Sequence, residues 1–299
     1  MKIAVTGRQG QVATSLLERG AMAGHEIVAL GRPQLDLADP ASIEQALAEA
    51  APDVVVSAAA YTAVDKAESE PDLAFAVNGR GAGAVAAATA RLGAPLIHLS
   101  TDYVFDGRLD RAYREADATG PTGVYGASKL AGEQAVLAAC PGQAVVLRVA
   151  WVYSPFGGNF VKTMLRLAAD REEISVVADQ IGNPTSALDI ADGILAVAAN
   201  LVDSADPALR GVFHMTAGGE ASWAAFAEQI FANSAVLGGA TAHVRPIETR
   251  EYPTAAARPA NSRLDSTYIA DAHGVALPHW QEALRVVSGR LYGAPAGSR

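Results

Sequence analysis

The sequence predicts an α/β fold in which a doubly wound parallel sheet is followed by a smaller C-terminal lobe. The first half alternates short runs rich in Val, Ile and Leu with Ala-rich helical runs. The short runs are nearly continuous in apolar residues, as in strands buried on both faces, and the β-α-β-α order favours a parallel sheet. After residue 151, shorter strands alternate with helical runs and with loops rich in Gly, Pro and Asn, which indicates a second lobe.

The first-half strands are predicted at 2–7, 26–30, 53–59, 95–100 and 144–150. The helices between them are predicted at 10–20, 40–50, 71–91 and 122–139. In the second half the predicted helices are 159–170, 187–201, 222–232 and 279–290, and the predicted strands are 174–178, 211–215 and 243–247. We expect a sheet domain over 1–150 and a lobe over 151–299, with segments near 186–216 returning to the sheet domain.

The composition is that of a soluble globular protein. The chain has 299 residues, 50% hydrophobic and 18% charged, and a net charge of −9. No basic cluster indicates nucleic-acid binding, and no apolar stretch is a convincing membrane span. The first strand begins at once, without a targeting segment, so we expect a cytoplasmic protein. The single cysteine, Cys140, excludes an internal disulfide and is expected to be a buried, inert thiol.

The first predicted strand runs into a glycine-containing turn, TGRQGQVA, at residues 6–13. Gly7 permits a tight turn, Gly10 lets the backbone approach a pyrophosphate, and Ala13 lets the next helix lie close to the strand. Free N–H groups at the helix start would then face the phosphates. Many strand-to-helix turns contain glycine, but this position in an α/β pattern favours a Rossmann-type dinucleotide-binding domain.

The end of the second strand, ALGRPQLDLADP, indicates which dinucleotide binds. An acidic residue there usually contacts a free ribose 2′-hydroxyl, and an arginine a 2′-phosphate. Arg32 follows the strand and Arg8 lies in the glycine turn, so two guanidinium groups would face the phosphate. We therefore predict NADPH as the cofactor, with NADH as a second candidate. Asp36 and Leu37 would flank the adenine.

The catalytic side chains are predicted at the fourth strand and the helix after it. Ser100 and Thr101 end that strand, at the sheet edge where open α/β folds place ligands. Tyr125 and Lys129 are one helical turn apart and share a face. We expect the ammonium to lower the pKa of Tyr125 from about 10 towards neutrality, which suits a general acid. Thr101 would hold the substrate carbonyl against Tyr125, and Lys129 would also hold the nicotinamide ribose.

Longer stretches make the chain resemble a known family. They are GRQGQVA, AAAYTAVDKAESEP, STDYVFDG, VYGASKLAGE, WVYSPFGGNFVKTMLRLA, DQIGNPTSA and YPTAAARPANSRLD. Nearly end to end, the sequence is similar to the dTDP-4-dehydrorhamnose reductases of the extended short-chain dehydrogenase/reductase superfamily. The resemblance implies that NADPH reduces the C4 ketone of dTDP-4-dehydro-6-deoxy-L-mannose to give dTDP-L-rhamnose, with a tyrosine as proton donor.

The resemblance also implies roles for individual residues. Thr101, Tyr125 and Lys129 would be the catalytic triad, and Thr101, Asp102 and Trp151 would line the sugar site. For Trp151 alone, a core tryptophan between the lobes is the alternative. Small residues after the third strand would let the cofactor pass, although an Ala-rich loop explains them equally well. Besides Tyr125 and Lys129, the predicted cofactor contacts are Gly7, Arg8, Gln9, Gly10, Gln11, Val12, Arg32, Asp36, Leu37, Ala58, Ala59, Ala60 and Tyr61.

The chain departs from the family pattern in three places. Ser57 stands where asparagine is common, which alters a loop hydrogen bond but not the chemistry. Some members bind Mg²⁺ at a dimer interface through glutamates, at positions that here are Ser15 and Leu188. Neither residue supplies a carboxylate oxygen, so we predict no metal and a monomer or weak homodimer.

Two other functions remain open on the sequence. One is an NAD-dependent sugar-nucleotide epimerase or dehydratase of the same fold. The other is a non-catalytic NADP-binding regulatory subunit, which could have lost the tyrosine or the lysine, whereas this chain keeps both.

Overall fold

The computed structural model describes residues 1–293, and its secondary structure follows the predicted alternation. The strands are β1 (Lys2–Thr6), β2 (Glu26–Leu30), β3 (Val54–Ser57), β4 (Leu96–Thr101), β5 (Ala144–Val149), β6 (Val152–Tyr153), β7 (Glu173–Val177), β8 (Ile181–Gly182), β9 (Thr185–Ser186), β10 (Gly211–His214), β11 (Ala217–Gly218), β12 (Ala221–Ser222), β13 (His243–Ile247) and β14 (Leu277–His279). The α-helices are α1 (Gln11–Met22), α2 (Pro40–Ala50), α3 (Val64–Ala67), α4 (Pro71–Phe75), α5 (Ala82–Leu92), α6 (Val124–Ala139), α7 (Phe160–Ala168), α8 (Ala187–Asp203), α9 (Trp223–Val236), α10 (Thr267–His273) and α11 (Trp280–Leu291).

The central sheet has six parallel strands in the order β2-β1-β3-β4-β5-β10. Alternate residues of β1 point to opposite faces: Ile3 and Val5 join a core with α1 and α8, and Ala4 joins a core with α2 and α5. This confirms the predicted doubly wound α/β fold. Strand order reverses between β1 and β3, and ligands of such sheets bind beyond the strand ends at this point.

The predicted helix 71–91 is interrupted in the structure. Residues Ala76–Gly81 form a π-helix between α4 and α5. Its carbonyl at Asn78 lies so close to Gly132 of α6 that a side chain on Gly132 would overlap it. The Ala-rich sequence is compatible with one continuous helix, so only the tertiary packing against α6 reveals the interruption. π-Helical turns are frequent at functional sites.

The residues after β5 build a second apolar core. It joins α7, β7, α9 and α11 through buried side chains such as Val161, Ile174, Phe226 and Leu284. Strand β10 instead forms the edge of the central sheet, and α8 lies against α1 in the first core. The helices and strands predicted for this half are confirmed within a few residues, whereas α10 and the two- and three-residue strands were not predicted. In the first half, α3 was not predicted.

Two further sequence expectations concern exposure to solvent and lipid. Cys140 is buried, and burial raises the pKa of its thiol. The thiol therefore carries little of the reactive thiolate form, in line with the expected inert cysteine. Within residues 1–293, none of the helices combines the length and the apolar character that crossing a membrane requires.

Candidate active site

The glycine turn after β1 leaves the start of α1 open. Gly7 has a φ of +100°, which favours glycine, and it approaches the backbone of Ala59 at the end of β3. Gly10 is the N-cap of α1; no side chain caps the helix there, and a Cβ on Gly10 would meet no atom within 4 Å. The free N–H groups therefore face open space, and the turn fits a dinucleotide pyrophosphate.

The other residues of the turn have different surroundings. Gln9 is exposed, and Val12 is buried in the first core, so Val12 offers a ligand only its backbone. The Gln11 side chain donates to the Val152 carbonyl (3.3 Å) and accepts from Ser154 (2.8 Å) and Asn159 (3.0 Å). Gln11 thus joins the glycine turn to the segment that begins the C-terminal lobe, a role that the sequence did not indicate.

The two predicted 2′-phosphate arginines are both exposed at the end of β2. Arg8 Nη1 donates to Gln34 Oε1 at 3.3 Å, a weak contact that a phosphate could replace. Gly31 lets Arg8 cross the strand end, because a Cβ there would lie 2.9 Å from Arg8 Cγ. No acidic side chain pairs with Arg8 or Arg32 among the ion pairs of the described residues.

Asp36 and Leu37, the predicted adenine neighbours, have structural contacts. The Asp36 carboxylate accepts from the Ala38 N–H at 3.0 Å, and the Leu37 side chain is buried in the core under α2 and α5. The Leu37 side chain is therefore mostly buried, and its apolar contact with adenine stays a prediction.

The loop after β3 is tied to helix α6 through Asn78. Thr6 Oγ1 accepts from the Ala58 and Ala59 N–H groups, and Ala58, Ala59 and Ala60 stay half-buried at the sheet edge. The Asn78 side chain, on the π-helix, accepts from the Tyr61 N–H and donates to the Tyr61 carbonyl. It also donates to Ser128 Oγ of α6 at 3.0 Å. The backbone therefore lines this side of the site. Sequence reasoning missed Asn78, which only the π-turn brings to this place.

Thr101, Asp102 and Tyr125 come together at the end of β4. Thr101 Oγ1 donates to Asp102 Oδ1 at 2.9 Å and accepts from the Tyr103 N–H at 3.2 Å. The Tyr125 ring lies edge-on to Tyr103, with centroids 5.6 Å apart. Burial raises the pKa of Asp102 to about 6, and nearby Ser262 only partly offsets this effect. Ser100 points the other way, into the protein interior, as alternation along a strand requires.

The expected effect of Lys129 on Tyr125 is wrong for this structure. Burial and the charge of Asp102 raise the pKa of Tyr125 above its ordinary value, and Thr101 only partly offsets them. Lys129 Nζ instead donates to the Leu99 carbonyl at 2.6 Å, so its charge is directed at the strand. Burial lowers the pKa of Lys129 to about 8. The phenol therefore keeps its proton near neutral pH.

Trp151 lies where β5 gives way to the second lobe, in a left-handed backbone conformation with φ +46°. Its ring stacks on Trp223 of α9, with centroids 3.5 Å apart and planes 5° from parallel. Gly182 lies against the ring so closely that any side chain there would overlap it. Trp151 is half-buried, so its exposure lies between that of a core tryptophan and that of a tryptophan lining an open sugar site. Trp223 was not predicted, and no motif marks it.

The two positions considered for a metal are both buried. Ser15 Oγ donates to the Gln11 carbonyl, and Leu188 lies in the second core. In the described part of the chain, no three His, Cys, Asp or Glu side chains are grouped so that they could hold a metal ion. Ser57, the other departure from the family pattern, forms a buried hydrogen bond with His98 Nδ1 at 3.1 Å.

Comparison with known proteins identifies the family. The sequence model of the RmlD substrate binding domain matches residues 1–292. A dTDP-4-dehydrorhamnose reductase of Sinorhizobium fredii is 52% identical over 285 residues, which cover 95% of this chain and 96% of that protein. This chain belongs to the dTDP-4-dehydrorhamnose reductase family. The resemblance seen in the sequence is thereby confirmed.

Solved structures of dTDP-4-dehydrorhamnose reductases share the fold along nearly the whole chain. The Clostridium acetobutylicum protein superposes with a TM-score of 0.90 at 36% identity, covering 97% of this chain and 99% of that one. The Bacillus anthracis protein, crystallised in complex with NADP, gives a TM-score of 0.88 at 37% identity, covering 96% and 98%. The fold and the family therefore agree.

Proposed function

We propose that this protein is an NADPH-dependent oxidoreductase that reduces the C4 ketone of dTDP-4-dehydro-6-deoxy-L-mannose to give dTDP-L-rhamnose. The observation that carries the proposal is the meeting of Thr101, Tyr125 and Lys129 beside an open, glycine-lined helix start. The relatives, reductases of this name, support the substrate, and the relative bound to NADP supports the cofactor.

The cofactor would lie across the switch point between β1 and β3. The start of α1 would hold the pyrophosphate, Arg8 and Arg32 the 2′-phosphate, and Lys129 the nicotinamide ribose. Bound there, NADPH supplies the hydride for the ketone carbon. The loop formed by Ala58, Ala59, Ala60 and Tyr61 would limit access of water from the β3 side.

The chain's own residues would move the proton. Thr101 already donates to Asp102 and would turn to the substrate carbonyl, which holds the ketone oxygen against Tyr125. The raised pKa of Tyr125 keeps the phenol protonated until negative charge develops on that oxygen, and the phenol then donates its proton. The flat stack of Trp151 and Trp223 would present an apolar surface to the deoxy sugar.

We further propose that the protein works in the cytoplasm, as a monomer or weak homodimer, on a free nucleotide sugar and without nucleic acid. The reaction draws on NADPH and a dTDP-sugar, both of which are intracellular metabolites. A net charge of −9 disfavours a nucleic-acid partner. We also propose 1–150 as the NADPH-binding domain and 151–299 mainly as the substrate-binding lobe.

The decisive experiment follows NADPH consumption with the 4-keto sugar nucleotide generated in the assay. Stoichiometric loss of NADPH and formation of dTDP-L-rhamnose are expected. An epimerase would isomerise the sugar with no net loss of NADPH, and a regulatory subunit would bind NADPH without turnover. Either of these results would reject the reductase.

A further inference from the structure

A buried ion pair lies directly behind the catalytic helix. Glu133 of α6 and Arg148 of β5 have side chains only 3% and 5% exposed. Arg148 Nε donates to Glu133 Oε1 at 2.9 Å, and Nη2 donates to Oε2 at 2.7 Å. Removing both charges from water costs several kcal/mol per ion, so such a pair contributes little net stability. Its presence therefore calls for another explanation.

The ion pair connects the elements that carry the site. Glu133 stands one helical turn after Lys129, and it accepts a hydrogen bond from Ser100, the residue before Thr101. Arg148 is three residues before Trp151, and its guanidinium lies over Phe105, 5.0 Å from the ring centroid. Movement of α6 relative to β4 or β5 would break these contacts, so the pair fixes their relative position.

Glu133 is the acidic residue whose charge acts on Lys129. Burial lowers the pKa of Lys129, and the charge of Glu133 opposes that effect. On β4, His98 has a pKa well below its ordinary value because it is buried and faces Lys129, so it is neutral near pH 7. Tyr125, on the same helix, also stays uncharged near neutral pH.

Further titratable groups lie around Arg148 and at the start of α6. His214 Nε2 lies 3.5 Å from Arg148 Nη1, and burial lowers the pKa of His214 to about 3, so it is neutral. Glu115 accepts from the His214 N–H at 2.8 Å, and Asp265 lies on the same side. Asp102 and Tyr103 face α6 near Tyr125, and Glu68 accepts from the Val124 N–H at the helix start.

We propose that Glu133, held by Arg148, is a positioning residue of the active site: it places its carboxylate one helical turn from Lys129 and holds α6 in register with Thr101. The inference rests on the proposed function only for its effect on turnover. Lys129 titration is measured without substrate, so a failure of the proposed reaction and a failure of this inference give different results.

The chain allows a direct test, since it has four lysines, Lys2, Lys66, Lys129 and Lys162. Lysine labelled with ¹³C at Cε gives four NMR signals, and Lys129→Arg assigns the one that belongs to Lys129. In Glu133→Gln the titration midpoint of Lys129 is expected to fall by about one pH unit or more, because a charge close to the ammonium is lost. An unchanged midpoint in this variant would overturn the proposal.

A control separates this effect from the general loss of an ion pair. Glu18 forms a two-contact pair with Arg290 between α1 and α11, away from the site. Glu18→Gln should leave both the Lys129 midpoint and the pH dependence of kcat as in the wild type. An equal shift in Glu18→Gln would mean that the change is not specific to Glu133.

A double variant covers the case in which Glu133→Gln leaves Arg148 unpaired and fails to fold. Apolar replacement of a whole buried pair is often neutral for stability, so Glu133→Leu/Arg148→Met should melt near the wild-type temperature. We expect the alkaline limb of its kcat profile to move to lower pH, because Lys129 then loses its proton earlier. If the double variant folds and keeps the wild-type pH profile, the pair acts only as a packing contact. If neither variant folds, the pair is required for folding. Either result rejects the positioning role.

Discussion

Tyr125 holds its proton because its surroundings penalise a phenolate. The ring is half-buried, Asp102 is nearby, and the ammonium of Lys129 is directed at the Leu99 carbonyl instead. The residue is therefore protonated near neutral pH, as the proposed role of proton donor requires. The pairing of Tyr and Lys on one helix face was predictable from their spacing, but the direction of the pKa shift depended on burial.

Tyr125→Phe is expected to lower kcat by roughly 100- to 10,000-fold, the range for a positioned general acid. NADPH affinity, measured by fluorescence, should be little changed, because the ring remains. Tyr268→Phe provides the matched control, since that ring stacks on Phe213 outside the site. Near-normal turnover in Tyr125→Phe would remove this residue from the mechanism.

Arg32→Ala is expected to weaken NADPH much more than NADH, since only NADPH carries the 2′-phosphate. Loss of a charge-assisted hydrogen bond of about 1.5–3 kcal/mol corresponds to roughly a tenfold or larger change in the ratio of the two affinities. Arg171→Ala, at an exposed position between α7 and β7, serves as the control. Equal losses for both cofactors would show that Arg32 is only a surface residue.

Two buried carboxyl groups predict how stability varies with pH. Burial raises the pKa of Asp102 and of Asp189 from 3.8 to about 6. The folded protein thus binds these protons more tightly than the unfolded chain, so the contribution of these two groups to stability is greatest below about pH 4 and falls as pH rises through about 6. Each group costs up to about 3 kcal/mol at neutral pH.

Asp102→Asn and Asp189→Asn should each raise the melting temperature at neutral pH and flatten its dependence on pH between 4 and 6. Only Asp102→Asn should impair turnover, because Asp189 lies on α8 outside the site. Urea unfolding at several pH values measures the first effect, and steady-state kinetics the second. A melting temperature that drops in both variants would contradict the assigned cost of burial.

Among the elements, the π-helix and α6 make an especially close contact, and α6 carries Tyr125. Gly132 of α6 meets the Asn78 carbonyl, and a side chain there would overlap backbone. Gly83 lies at the same α5–α6 interface, but a Cβ on it would lie 3.0 Å from the Ala135 methyl group, which a shift of a few tenths of an ångström between the helices would accommodate. The two glycines therefore form a matched pair for testing this interface.

Gly132→Ala is expected to destabilise the protein by about 1–3 kcal/mol, as overpacking does, and to lower kcat by displacing α6. Gly83→Ala should cost less, because alanine favours a helix interior by about 0.5–1 kcal/mol over glycine. Chemical denaturation and kinetics of the two variants provide the measurement. Equal losses of stability in Gly132→Ala and Gly83→Ala would show that the contact of Gly132 with the Asn78 carbonyl is no closer than the contact at Gly83.

At the scale of the whole molecule, two apolar cores meet around the site. The first lies under the sheet helices and the second among α7, α9 and α11, and Gln11 joins the glycine turn to the beginning of the second lobe. Gln11 would therefore connect the proposed cofactor site directly to the proposed substrate lobe. Ser15 and Leu188 are both buried, and neither side chain carries a carboxylate.

Full activity is therefore expected in excess EDTA, with no Mg²⁺-dependent change in oligomeric state. Turnover and sedimentation velocity, each with EDTA and with added Mg²⁺, test this. Activity that EDTA abolishes and Mg²⁺ restores would mean that other residues bind the metal.

The sequence by itself determined the local features. The continuous apolar runs determined the buried strands, the glycine turn determined the open start of α1, and the four-residue spacing placed Tyr125 and Lys129 on one face. Each of these depends on residues near one another in the chain, where backbone geometry fixes the outcome. They were sufficient to predict the fold and the candidate catalytic residues.

Features that join distant segments of the chain depend on tertiary packing. The π-turn at Asn78, the stack of Trp151 on Trp223 and the pairing of Glu133 with Arg148 all depend on which surfaces meet after folding. The pKa of Tyr125 belongs to the same class, since it depends on burial and on the direction of Lys129. Spacing along the chain carries no information about desolvation, which arises only when the lobes and helices close around the site.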